Sequence, residues 1–168
     1  MTDDDLVAAV LEIEGHVDSD GWDQPTLLFA LVATEQIRRD QPALAQQLGV
    51  TESGPALTTF EQPPPPLGQG LDEFLAGISW PDEISGAAVV VERIVLPPDA
   101  EAAIADRPDA ARLAREHPDA QDMRVVVGVS RDGARMCALR LRGASDDSVL
   151  TGAELVPGLA EALLATFR

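Results

Sequence analysis

The run Asp122-Met123-Arg124-Val125-Val126-Val127-Gly128-Val129-Ser130-Arg131-Asp132-Gly133-Ala134-Arg135-Met136-Cys137-Ala138-Leu139-Arg140-Leu141-Arg142 decides the fold. Two segments rich in apolar residues flank Asp132-Gly133. That dipeptide suits a two-residue hairpin turn, whose central positions need positive φ. The spacing predicts strands over 122–131 and 134–142, with Arg131 opposite Ala134 and Gly128 opposite Cys137. A hairpin here forces antiparallel pairing and argues against a doubly wound parallel sheet.

Working outward, Ala87–Leu96 is dense in β-branched residues and reads as a long strand closed by Pro97-Pro98. The apolar run Thr26–Thr34 after Pro25 reads as a buried strand, and Leu57–Gln62 as a short one. Helical spacing of Leu6, Val7, Val10, Leu11, Ile13 and Val17 predicts an amphipathic helix over 3–17, capped by Thr2 or Asp3. Asp3, Asp4 and Asp5 then lie where the helix dipole favours negative charge. Leu159, Leu163, Leu164 and Phe167 make the apolar face of a last helix over 157–167. Shorter helices are expected at 35–40, 42–48, 71–78 and 109–117.

The expected fold is α+β: one mostly antiparallel five-stranded sheet with helices packed on it, in the order α-β-β-β-α-β-β-α. That order resembles the small acidic secretion-chaperone-like folds, an analogy of fold that carries no function. Residues 1–168 are read as one domain. Within it, 49–70 forms Pro/Gly-rich connecting loops, in which Pro63-Pro64-Pro65-Pro66 favours polyproline II and serves as a stiff connector.

Composition narrows function more than motifs do. There are 29 acids against 12 bases, a net charge of −17. Such a surface repels nucleic-acid phosphates and anionic membranes, so neither is an expected partner. Every base is Arg, and the chain lacks Lys, Asn and Tyr. Schiff-base lysines, phosphate-loop lysines and tyrosine general acids are thereby excluded. One cysteine, Cys137, permits no intramolecular disulfide. The acidic Thr2-Asp3-Asp4-Asp5 start has the wrong charge for a signal peptide, and no apolar run approaches a membrane span, so a cytoplasmic protein is expected.

No phosphate-cradling glycine pattern, nucleophile elbow or catalytic triad emerges. Glu12, His16 and Asp20 fall near one another on the first helix and its end, but a solvated acidic helix end explains them better than a metal. No catalytic residue, metal ligand or cofactor is expected. Candidates for ligand or partner binding remain. Arg93, Arg124, Arg140 and Arg142 belong to a set of arginines on the later strands of an otherwise acidic chain. They suit an anion or an acidic peptide, or else pair with local acids, the reading favoured here. Trp22 and Trp80 stand at element junctions, as packing wedges or as interface anchors. Cys137, flanked by Arg135 and Arg140, is the candidate reactive thiol, against its ordinary identity as a small buried hydrophobe.

Several phrases carry a resemblance: Gly21-Trp22-Asp23-Gln24-Pro25 into Leu28-Phe29-Ala30-Leu31-Val32; Val90-Val91-Glu92-Arg93-Ile94-Val95-Leu96-Pro97-Pro98; Val126-Val127-Gly128-Val129-Ser130-Arg131-Asp132-Gly133; Cys137-Ala138-Leu139-Arg140-Leu141-Arg142; and Leu155-Val156-Pro157-Gly158-Leu159. Together they resemble, nearly end to end, an actinobacterial family of uncharacterised proteins with no assigned function. The resemblance implies a bacterial cytosolic protein of one domain and transfers no site. The functional expectation is a non-enzymatic, cytosolic protein-interaction or chaperone-like binding module, whose partner is another protein or a second copy in a homodimer. The alternative is a small-molecule or anion-binding domain, with or without catalysis, that uses the arginine cluster.

Overall fold

The computed structural model describes residues 1–66, 68–143 and 149–167. Six strands form one open antiparallel sheet in the order β2-β1-β3-β4-β5-β6. They are β1 (Leu27–Ala33), β2 (Leu57–Gln62), β3 (Gly86–Val95), β4 (Gln121–Ser130), β5 (Arg135–Leu141) and β6 (Val149–Gly152). Seven helices accompany them among the described residues: α1 (Asp3–Ser19), α2 (Thr34–Asp40), α3 (Pro42–Leu48), α4 (Leu71–Ala76), α5 (Pro98–Ile104), α6 (Ala110–Glu116) and α7 (Pro157–Leu164).

Side chains alternate across the strands, so each face of the sheet has its own core. On one face Phe29, Leu31, Ala88, Val90, Val126 and Ala138 meet the α1 stripe of Leu6, Ala9, Val10, Ile13 and Val17. Thr2 caps α1 reciprocally: its hydroxyl accepts from the Asp5 N–H, while the Asp5 carboxylate accepts from the Thr2 N–H. Gly128 lies beneath this helix, where a Cβ would come within 2.5 Å of Val10 Cγ2. On the other face Ala87, Val89, Val125, Val127, Val129 and Cys137 meet α7 and α4 through Leu159, Leu163 and Leu75. α2 and α3 cover the β1–β2 end through Val32, Ile37 and Ala45.

Three expectations are corrected. The sheet has six strands, not five. The added β6 has only four residues and pairs with β5 alone, too short for alternation to register in the sequence. α5 has no counterpart among the helices expected from the sequence. Pro98 occupies its first turn, so the proline pair that stops β3 also starts a helix. The hairpin register is shifted by one, with Val127 rather than Gly128 opposite Cys137, and Val129 opposite Arg135. Ser130 N–H donates to Ala134 O, leaving a three-residue loop, Arg131-Asp132-Gly133, with Gly133 at φ 101°. Glycine supplies the positive φ that such a loop needs at its last position.

β3 and β4 run on together beyond the end of β1, which pairs only Leu27–Leu31 with β3. The exposed flank of this extension receives the 21–24 segment on the α1 side, and α5–α6 near Ile94 and Val95.

Candidate functional site

The arginines are placed by strand alternation. Arg124, Arg140 and Arg142 fall on the α1 face, and Arg124 is directly opposite Arg140 on β4 and β5. Two like charges side by side on adjacent strands repel unless acids reach them. α1 supplies those acids. Its inward stripe carries Glu14 and Asp18, four residues apart and so on one side of the helix.

Glu14 is buried and takes the Arg140 guanidinium in a two-pronged pair, from Nε and Nη2, the second at 3.0 Å. Arg124 has no exposed side-chain surface. Its Nη1 donates to Asp18 at 3.0 Å, and its Nη2 donates to Gly21 O and reaches Glu92 at 3.5 Å. Its guanidinium lies 4.4 Å from the centre of the Trp22 ring. Its Nε has no partner among the described residues. Glu92 also accepts the N–H groups of Asp23 (2.8 Å) and Gln24 (3.1 Å), closing the loop onto β3. That loop needs the grip, because Asp23 adopts a left-handed φ of 66°. Arg142, more exposed, pairs with Asp122 at 2.9 Å and Asp23 at 3.2 Å. Asp122 and then Asp23 hold its guanidinium more firmly protonated than a free one.

Trp22 is therefore a platform beneath two guanidinium groups, with Arg142 on it at 5.8 Å. The cluster fastens α1, the 21–24 loop, β3, β4 and β5 together. Arg93 stands apart. It is exposed, lies on the opposite face of β3, and forms no ion pair among the described residues. It shares a hollow of about 400 Å³ with Arg115, but Asp23, Glu92 and Asp122 line the same hollow. Carboxylates so near weaken the attraction for an anion.

Cys137 is fully buried under α7. Burial pushes its thiol pKa up, only partly offset by backbone hydrogen bonds from Val156 and Leu155. Arg140 lies on the other face of the strand with Glu14, so it does not activate the thiol. Glu12, His16 and Asp20 are all on exposed positions of α1 and its end. Among the described residues no group of three or more His, Cys, Asp or Glu side chains is placed to hold a metal ion.

The second tryptophan belongs to a different place. Trp80 donates its indole N–H to Thr166 Oγ1 at 2.8 Å and stacks on Phe167 with ring centres 6.0 Å apart. Arg131 holds the back of this stack, over Phe167 at 4.9 Å, while donating to the carbonyls of Pro81 and Ile84. In front of Trp80 a groove of about 490 Å³ opens between α4 and the proline run. Leu28, Phe74, Ile78, Trp80 and three of the four prolines line it, with Gln62, Gly77 and Ser79, and no titratable side chain among the described residues. The sequence marked Trp80 and the proline run separately. What brings them together is the packing of the proline run, α4 and Trp80 around Leu28 of β1, a long-range contact that no local pattern marks.

No helix of the described chain is long and apolar enough to cross a membrane. Residues 6–168 match the model of the family described as PPA1309-like protein, and the chain belongs to that family. No curated protein and no solved structure matches it.

Proposed function

We propose that this PPA1309-like protein is a non-enzymatic protein-interaction module, and that the groove in front of Trp80 is where a partner polypeptide docks. The observation that carries this reading is the lining of the groove: apolar walls, a fixed aromatic floor and, among the described residues, no titratable side chain. Such a surface buries side chains and offers no acid, base or metal ligand for chemistry. The order of elements, with a helix first and last around an antiparallel sheet, keeps the analogy with secretion-chaperone-like folds in view.

Selection from a random peptide display library on the folded protein tests it. Selected peptides should bind the parent at least about tenfold better than Ile78→Asp, a difference of about 1.4 kcal/mol. Circular dichroism should show both proteins folded. No enriched sequence, or equal binding to both proteins, would set the reading aside. A second copy of the chain is the other partner to be considered, and a sedimentation mass that rises with concentration and falls in Ile78→Asp would identify it.

A further inference from the structure

The groove's own surroundings specify the chemistry of its occupant, and the inference rests on the groove being the docking site. Between Arg39 and Arg93 the sequence contains no basic residue. Asp72 and Glu73 immediately precede Phe74 of the lining, and Asp82 and Glu83 follow Trp80-Pro81, Glu83 lining the next hollow along, beside Phe60 and Gln62. All four are exposed, and none forms an ion pair among the described residues. The contrast with the α1 face is plain, since Glu14, Asp18, Asp23 and Glu92 there each face an arginine. Among the described residues the one cation placed near them, Arg131, is engaged by the carbonyls of Pro81 and Ile84, so four carboxylates without an ion pair outweigh it; such an excess attracts cations and repels acidic chains.

The proline wall points the same way. Prolines have no N–H, so Pro63 and Pro64 offer a passing chain only carbonyl acceptors. A guanidinium or ammonium group satisfies acceptors and donates nothing back that is left unpaired. The floor is already fixed by Thr166 and Phe167, so little freedom is lost when a side chain packs on Trp80.

We infer that the groove takes an extended segment of a partner protein in which one or two large apolar side chains are flanked by arginines or lysines. The apolar side chain enters between Phe74, Ile78 and Trp80, and the flanking cations lie against the four carboxylates and the proline carbonyls.

Two synthetic peptides test this, GRRLFRRG and its charge-reversed counterpart GEELFEEG, each titrated into the labelled protein and followed by amide and indole NMR shifts. The basic peptide should move the Trp80 indole N–H and the amides of Phe74, Gly77 and Ile78. It should bind at least about tenfold more tightly than the acidic one and weaken severalfold between about 50 and 300 mM salt, as surface charge attraction does. The variant Asp72→Asn/Glu73→Gln/Asp82→Asn/Glu83→Gln should lose most of that preference while keeping its fold. Equal shifts from both peptides would overturn the charge inference and leave the groove as a docking site. Shifts from neither peptide, or shifts confined to other acidic surfaces, would overturn both.

Discussion

Removing the buried charge should cost less than removing its partner. Arg124 has no exposed side-chain surface and an Nε without a partner. Arg124→Met keeps most of the side chain's volume and deletes that unpaired donor, relieving about 1–3 kcal/mol. Against this it forfeits the contact with the Trp22 ring, about 1–2 kcal/mol for a desolvated pair, the bond to Gly21 O, and the pairs with Asp18, which can turn to solvent, and Glu92, which keeps the Asp23 and Gln24 N–H groups. The opposing effects nearly cancel, leaving a net loss of about 1 kcal/mol. Glu92→Ala behaves differently. It strips the acceptor from the N–H groups of Asp23 and Gln24 and leaves Arg124 with Asp18 as its remaining acidic partner. Two lost charge-assisted bonds, one of them near solvent, with a less compensated buried cation, amount to about 3–4 kcal/mol. Urea unfolding followed by far-ultraviolet circular dichroism measures both. With m near 2 kcal/mol/M, the midpoint should fall by about 1.5–2 M for Glu92→Ala and about 0.5 M for Arg124→Met. Arg124→Met losing as much as Glu92→Ala would refute the reasoning, because the charge itself would then be holding the cluster.

Gly128→Ala should destabilise by about 2–3 kcal/mol through overpacking against Val10 and Leu6, lowering Tm by about 4–12 °C in calorimetry. Gly133→Ala forces an L side chain into positive φ and should cost about 1–2 kcal/mol in the same assay, with the hairpin retained. The Cys137 thiol is raised above its ordinary value near 9. The folded state therefore holds the proton more tightly, and the contribution is complete below the unfolded pKa and lost as pH climbs through the folded one. Stability should decline above about pH 9 and decline less in Cys137→Ala, as pH-dependent urea midpoints will show. In the native protein near neutral pH, iodoacetamide should leave Cys137 unmodified by mass spectrometry.

The sheet was legible wherever a strand had enough residues to show alternation or a β-branched run, as β3 and β4 do. β6 escaped because Val149–Gly152 offers one short apolar pair followed by Thr and Gly. Asp132-Gly133 marks the turn but not its length, which is three residues rather than two. The dipeptide fits both loop lengths, and what decides is the closing bond between Ser130 N–H and Ala134 O. The sequence favours pairing of the arginines with local acids but does not show which acids. Arg124 and Arg140 reach Asp18 and Glu14 across more than a hundred residues of sequence. A signal did exist, since Glu14 follows Ile13 and stands four after Val10 within the buried stripe of α1. A carboxylate there implies a buried cation somewhere. The groove had no comparable signal, because its walls come from β1, the proline run and α4, and only folding joins them.

The central claim is that Arg124, Arg140 and Arg142 are taken up by acids within the fold and bind no anion, while the groove at Trp80 is the proposed docking site. Two calorimetric titrations on one sample test it directly, with the peptide GRRLFRRG and with inorganic triphosphate. The expected result is saturable binding of the peptide, abolished by Ile78→Asp, and no heat of binding from triphosphate at millimolar concentration. Saturable binding of triphosphate that is lost in Arg93→Ala, with no binding of the peptide, would contradict it.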